Sequence, residues 1–282
     1  MPELPEVETI IRRLRDGTPD HPPVPGQRIR TVEVTWNRTI AEPDPLSFKQ
    51  NLLDKTIIDV RRRGKFLHFP LSDGNLIAHL RMSGDMRMEP NISLDGDPLP
   101  PEKYDRVLLN FEVPWRLVFS NIRKFGRMWY AENVESVFGG LGPEPLSDGF
   151  SPLMLYKMLQ SHHRQIKPLL MDQTFIAGLG NIYTDEILFR AKLHPLRQSS
   201  SLSMREAELL FEAMQRTLRE GSENFGASLD WIYRGGGFQN HFNVYQQTSK
   251  PCPVCGVPIQ RITVAQRGTH FCPVCQELPL SS

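Results

Sequence analysis

Two identical Cys-Pro-Val-Cys pairs, Cys252 with Cys255 and Cys272 with Cys275, stand 16 residues apart and restrict this chain more than any other feature of its sequence. Each pair can make a turn presenting two thiolates, and the separation is that of a four-cysteine zinc ribbon. Four thiolates fill the tetrahedron without His270, so the expected zinc is structural and has no open position for water or substrate. The residues between the pairs predict a hairpin turning near Gln266 to Gly268, which would hold Arg267 in place. The competing reading is two disulfides, which the cytoplasm expected here disfavours, or free thiols.

At 282 residues the chain is long enough for two or three domains. No window reaches the roughly 18 apolar residues of a membrane span. The opening MPELPEVETI carries acids where a signal peptide has a basic start, so a soluble, cytoplasmic monomer is expected. The formal net charge is +1, and any basic, nucleic-acid-binding surface must therefore be local.

The periodicity changes along the chain. Val7, Ile10, Ile11 and Leu14 recur at helical spacing, with Glu6 and Glu8 early and Arg12, Arg13 and Arg15 late, so an amphipathic helix is expected to open the fold. Between about 28 and 132 the period is two: 29–36, 56–60, 65–71, 75–82, 106–113 and 116–120 read as antiparallel strands of a β-sandwich, with a loop over 90–105. The Gly- and Pro-rich stretch 139–150 reads as a linker. Helical periodicity follows over 151–161, 182–191 and 203–220. The expected fold class is multidomain α+β: a sandwich with its N-terminal helix over 1–138, the linker 139–150, a helical domain over 151–243 and the ribbon over 244–282.

Pro2 follows the initiator Met, which by itself says little. Once Met1 is removed, however, the proline nitrogen is a secondary amine with a pKa of about 8, leaving a useful unprotonated fraction at neutral pH. Its attack on a sugar C1′ gives a charged iminium, an electron sink able to drive elimination. Glu3 and Glu6 supply carboxylates for proton transfer, or else merely favour the start of the first helix.

MPELPEVE resembles the opening of bacterial formamidopyrimidine-DNA glycosylases. The resemblance continues in order through RRRGKFL, AHLRMSG, IRKFG, GPEPL, IKPLLMDQ, GLGNIYTDE and FQNHFNVY to the ribbon, covering nearly the whole chain. It implies a β-sandwich, a helix-two-turn-helix domain and a zinc ribbon, with damaged duplex DNA in the cleft between the halves. It further implies that Pro2 is the nucleophile, Glu3 the acid toward the deoxyribose ring oxygen, and Lys65 an active-site lysine. Asn181 and Arg267 would grip the phosphate beside the lesion, with Lys167 and His79 as further phosphate contacts. Met82, Arg123 and Phe125 would fill the hole left by a flipped base, the arginine pairing with the orphaned cytosine.

Two departures stand out. Asn121 occupies a position where aspartate is expected, which bears on the support of Arg123, and 226–242 is shorter than the loop that closes over a flipped purine. The competing functions are an endonuclease VIII-like enzyme for oxidised pyrimidines and a non-catalytic zinc-ribbon binder of damaged DNA. Binding alone does not call for Pro2, Glu3 and Lys65 together.

Overall fold

Val7, Ile10, Ile11 and Leu14 form the buried face of α1 (Leu4–Asp16), whose acids open it and whose arginines close it. The chain then runs through β1 (Ile29–Val34), β2 (Ile40–Glu42), α2 (Pro45–Leu52), β3 (Arg61–Arg63), β4 (Phe66–Pro70) and β5 (Asn75–His79). β6 (Gly84–Pro90), β7 (Asp105–Phe111), β8 (Trp115–Asn121), β9 (Arg127–Ala131) and α3 (Glu135–Phe138) complete this part. The computed structural model describes residues 2–228 and 235–278 and divides into two units, the first holding residue 2 and 6–139.

In the first unit one sheet has the order β1-β7-β8-β6 and the other β2-β9-β5-β4-β3. Period-two alternation sends one face of each sheet into a single core, Ile29, Met86, Leu109 and Phe119 from the first sheet meeting Leu67, Phe69, Leu76 and Met128 from the second. The opposite face of β4 and β5 carries Phe66 paired with His79, their rings in edge contact at 4.6 Å.

The strand expected at 56–60 is absent. Ile57 N–H donates to Gln27 O and Ile58 N–H to Pro70 O, leaving only isolated bridges at Thr56 and Ile57. The segment is passed from one partner to another, and no ladder can propagate. The 90–105 stretch is irregular as expected, apart from Pro90, which ends β6, a bridge between Ile92 and Pro98, and the first residue of β7. β2, β3, β6, β9 and α2 had not been expected. Asp44 caps α2 by accepting from Leu46 and Ser47 N–H, with Pro45 in the first turn.

The second unit holds residues 3–5, 140–228 and 235–278. Its helices are α4 (Pro152–Gln160), α5 (Ile166–Leu170), α6 (Asn181–Arg190) and α7 (Met204–Glu223), the last opened by a Ser203–Glu206 capping box. Two turns join α5 to α6. Asp172 accepts from Thr174 N–H, while Gln173 donates to Met171 O and Leu179 O and accepts from Gly178 N–H. β10 (Gln260–Val264) and β11 (Arg267–Phe271) form the ribbon hairpin, with Val264 opposite Arg267. The turn is therefore Ala265–Gln266, one step earlier than expected, because Gly268 is already paired with Thr263. Both turn residues are left-handed, at φ 45° and 62°, as a two-residue hairpin requires.

Asn121 ends β8 and is buried. Its Oδ1 accepts from Phe125 N–H at 2.8 Å and Gly126 N–H at 3.3 Å, and its Nδ2 donates to Leu80 O at 3.1 Å. One amide thus shapes the 122–126 turn and ties it to the segment before Met82, which a carboxylate, lacking a donor, could not do. Asn121→Ala leaves these buried groups unpaired at about 1–3 kcal/mol each, and urea denaturation is expected to show a loss of at least that size.

Candidate functional site

In the first unit, Pro2 and Glu6 are buried. Lys65 follows Gly64 (φ 56°) in the two-residue turn between β3 and β4, and it is 4% exposed, so it is not the solvated edge that three preceding arginines suggest. His79, at the end of β5, accepts from Arg81 N–H through Nδ1 at 3.0 Å, which leaves Nε2 to carry the proton. Burial, with Arg81 and Lys65 nearby, pushes its pKa down to about 3, so the ring is a neutral donor.

Met82 and Phe125 are 39% and 51% exposed, against any role as core side chains. The Arg123 guanidinium lies 5.6 Å from the Phe125 ring centre, and Arg123 N–H donates to Ser83 Oγ at 3.0 Å. Together with Asn121 this brings the turns bearing Met82 and Arg123/Phe125 side by side. Two large apolar side chains and a guanidinium are thus exposed on neighbouring turns.

In the second unit Glu3 reaches the start of a distant helix. Its carboxylate, 2% exposed, accepts from the backbone N–H groups of Gly180 (2.8 Å), Ile182 (2.9 Å) and Tyr183 (3.3 Å) and so caps α6 from 177 residues away. Gly180 makes this possible: a Cβ there would stand 2.4 Å from the Glu3 carboxyl carbon. Asn181, relieved of capping, donates through Nδ2 to Gly268 O at 3.1 Å, and its Oδ1 is buried without a partner among the described residues.

Lys167 on α5 is buried and bonded to Asp185 (2.6 Å) and Gly268 O (3.2 Å). Burial lowers its pKa and Asp185 opposes that shift. A cavity of about 250 Å³ brings Lys167 together with Arg164 and Arg267, beside Met171, Asp172 and Val264. Arg164 is paired there with Asp172 and Lys167 with Asp185, so Arg267 is the cation of the three without an ion pair among the described residues. Asp185 and Glu186 were not foreseen as site residues. Asp185 holds β11, while Glu186, fully buried, accepts from the N–H groups of Asn243, Val244 and Tyr245. Two adjacent acids in the middle of an otherwise apolar helical segment were the available signal.

The four cysteine Sγ atoms lie within 4.8 Å of one another. Sγ separations of 3.9 Å (Cys252 to Cys275) and 3.4 Å (Cys255 to Cys272) are too long for disulfides. They bracket the ~3.8 Å edge of a tetrahedron with zinc–sulfur bonds of about 2.3 Å. Val254 and Cys275 N–H groups donate to the sulfurs of Cys252 and Cys272, as thiolate turns do. The donor set fits one structural zinc. The expected closing segment 226–242 lies partly outside the described residues, since 229–234 are not among them. No helix among the described residues is long and apolar enough to cross a membrane.

Residues 1–128 match the family model of the formamidopyrimidine-DNA glycosylase N-terminal domain, 141–230 that of its H2TH domain, and 249–278 that of a zinc finger found in FPG and IleRS. A formamidopyrimidine-DNA glycosylase of Symbiobacterium thermophilum is 40% identical, over 99% of this chain and 90% of the relative. The Lactococcus lactis Fpg in complex with DNA containing an abasic site superposes with a TM-score of 0.87 at 36% identity, covering 98% of this chain and all of that one. A structure of MutM with DNA containing carbocyclic 8-oxo-G gives the same TM-score, identity and coverage.

The zinc geometry yields one test. Cys272→Ser leaves three thiolates, and a ribbon with so little core depends on its metal for folding. Elemental analysis is expected to show zinc lost, and amide exchange to show β10 and β11 unprotected while β5, β7 and β8 keep their protection.

Proposed function

The chain belongs to the formamidopyrimidine-DNA glycosylase family, and from that premise we propose that it excises oxidised purines, 8-oxoguanine and formamidopyrimidines, from duplex DNA and cuts the strand at the abasic site so formed. Glu3 carries the residue-level reading: its carboxylate is fixed on the first amides of α6, and the nucleophile proposed here, Pro2, is its covalent neighbour.

The chemistry follows from the amine. The Pro2 nitrogen attacks C1′, the glycosidic bond breaks, and the base leaves with the bonding pair and takes up the proton that the attacking amine sheds. Glu3 delivers a proton to the ring oxygen O4′ as the sugar opens, giving an iminium at C1′. That cation acidifies the C2′ hydrogen, and its removal by a carboxylate, Glu6 or Glu3, expels the 3′ phosphate. A second elimination expels the 5′ phosphate, and water releases the sugar fragment and regenerates the amine. Lys65, buried in its turn, assists at this centre.

Arg267, Asn181 and Lys167 bind backbone phosphate, and His79 adds a neutral N–H donor. These contacts position the duplex without reading sequence. Met82 and Phe125 enter the space vacated by the flipped nucleotide, and Arg123 offers its donors to the orphaned cytosine. Their exposure and the clamped turns beneath them support this role. The zinc is structural and takes no part in the chemical step. The protein works as a monomer in the cytoplasm, on the chromosomal DNA.

Arg123→Ala is expected to relax the preference for cytosine opposite the lesion more than it slows cleavage at a preformed abasic site. Excision rates on duplexes differing only in the opposite base measure this, and unchanged selectivity would remove the assignment.

The decisive experiment concerns Met1. While Met1 is attached the Pro2 nitrogen is a tertiary amide, unable to attack C1′ or form an iminium. Intact mass spectrometry followed by borohydride trapping on abasic-site duplex is expected to give a covalent adduct only from protein that begins at Pro2. An adduct from protein shown to carry Met1 would transfer the nucleophile's role to another amine, Lys65 first. Tight binding with no adduct from either form would establish a damage binder instead.

A further inference from the structure

Among the described residues, the side-chain hydrogen bonds that tie β11 to α5 and α6, apart from that of Asn181, lead back to one carboxylate. Asp185 Oδ2 accepts from the backbone N–H of His270 at 2.9 Å and from its Nδ1 at 3.1 Å. Asp185 Oδ1 accepts from Lys167 Nζ at 2.6 Å, and the same ammonium donates to Gly268 O at 3.2 Å. The side chains of Asp185, Lys167 and His270 are 0%, 1% and 8% exposed, so these bonds are made out of water, where breaking one is costly. Arg267, the residue before Gly268, is exposed, and its guanidinium has no hydrogen bond or ion pair among the described residues.

The hairpin does not supply this hold by itself. Its turn, Ala265–Gln266, uses two non-glycine residues in left-handed backbone conformations, which cost energy and persist only where the surroundings impose them. Outside the hairpin, β11 packs against α6, and its Gly268 O accepts from Lys167 of α5.

We propose that Asp185 is a positioning residue for phosphate capture: through His270 and Lys167 it pins β11 to α6 and so sets where the Arg267 guanidinium stands. This rests on the reading of Arg267 as a phosphate ligand given above. Arg267 makes the contact; Asp185 removes the freedom that Arg267 would otherwise lose on binding.

The test is a double-mutant cycle on the full-length, zinc-loaded protein, with a duplex carrying a stable abasic-site analogue as probe. Asp185→Asn keeps the shape but has a single acceptor oxygen, so it cannot serve both Lys167 and His270. Relative to the parent, Asp185→Asn is expected to raise Kd about tenfold at physiological salt. The slope of log Kd against log salt should shrink by about 0.9, the value of one phosphate contact. The single-turnover cleavage rate at saturating enzyme should not change. In an Arg267→Ala background, Asp185→Asn is expected to lose most of its effect on Kd and slope, leaving only what the released Lys167 ammonium contributes. Full additivity of the two substitutions, or an unchanged salt slope for Asp185→Asn with zinc retained, overturns the proposal. Should Asp185→Asn fail to fold, Asp185→Glu keeps the charge and displaces the grip by one methylene. Its salt slope is then expected to fall while zinc is retained, and an unaltered slope refutes the tether. Failure of the parent protein to prefer the abasic duplex over an undamaged one would instead count against the functional reading.

Discussion

Taking an ionised carboxylate out of water costs several kcal/mol unless protein donors replace the lost hydration. Helix α6 is buried from Ile182 to Phe189, yet it carries two carboxylates and receives a third. Glu3 accepts from its first amides, Asp185 from β11 and Lys167, and Glu186 from three consecutive amides at 243–245. Each acid has to find donors on another segment, and Glu3 and Asp185 thereby hold segments that carry or adjoin Pro2 and Arg267, residues proposed to meet DNA. The cost of burying charge is thereby turned into alignment of the N-terminus, the ribbon strand and the 243–245 segment around one helix.

The first unit reaches a comparable end with neutral groups. Asn121 and Ser83 clamp two turns together and let Met82, Arg123 and Phe125 stand out from the surface. Asparagine in place of the expected aspartate does not weaken this arrangement. It adds the donor that Leu80 O receives. His79 shows the same economy: burial between cations holds it neutral, so it offers an N–H without bringing another charge to a site already rich in cations.

Much of this was legible in the sequence because it is local. The α1 face, the cysteine pairs, the strands at β4, β5, β7 and β8 and the helices α4, α6 and α7 all follow from periodicity within a dozen residues. The Asp-Pro start of α2 was equally readable and was passed over. β6 was harder, since Asp85, Arg87 and Glu89 alternate with Met86 and Met88 and mask the apolar face. At 56–60 the apolar pattern was real but the partners were not continuous. The service of Glu3 to a helix 177 residues away leaves no local trace, except that Gly180 has no side chain where a helix start usually wants a polar one. The zinc ligands and the residues proposed to contact DNA could be named from motif resemblance. The acids that hold them could not, because a buried carboxylate is recognised by its donors, and those appear only in three dimensions.

The seat of Glu3 has a consequence for dissecting the molecule. Residues 3–5 belong with 140–228 and 235–278, so the second unit is not contiguous in sequence. A fragment cut at the linker would carry α6 with its opening amides bare and a vacancy beside Gly180. The missing piece is the tripeptide Glu-Leu-Pro, whose glutamate and leucine have their contacts there: the α6 amides for one, and for the other the apolar cluster around Leu179 and Tyr183. The second unit thus takes the cap of its most deeply buried helix, and one residue of its core, from the opposite end of the sequence.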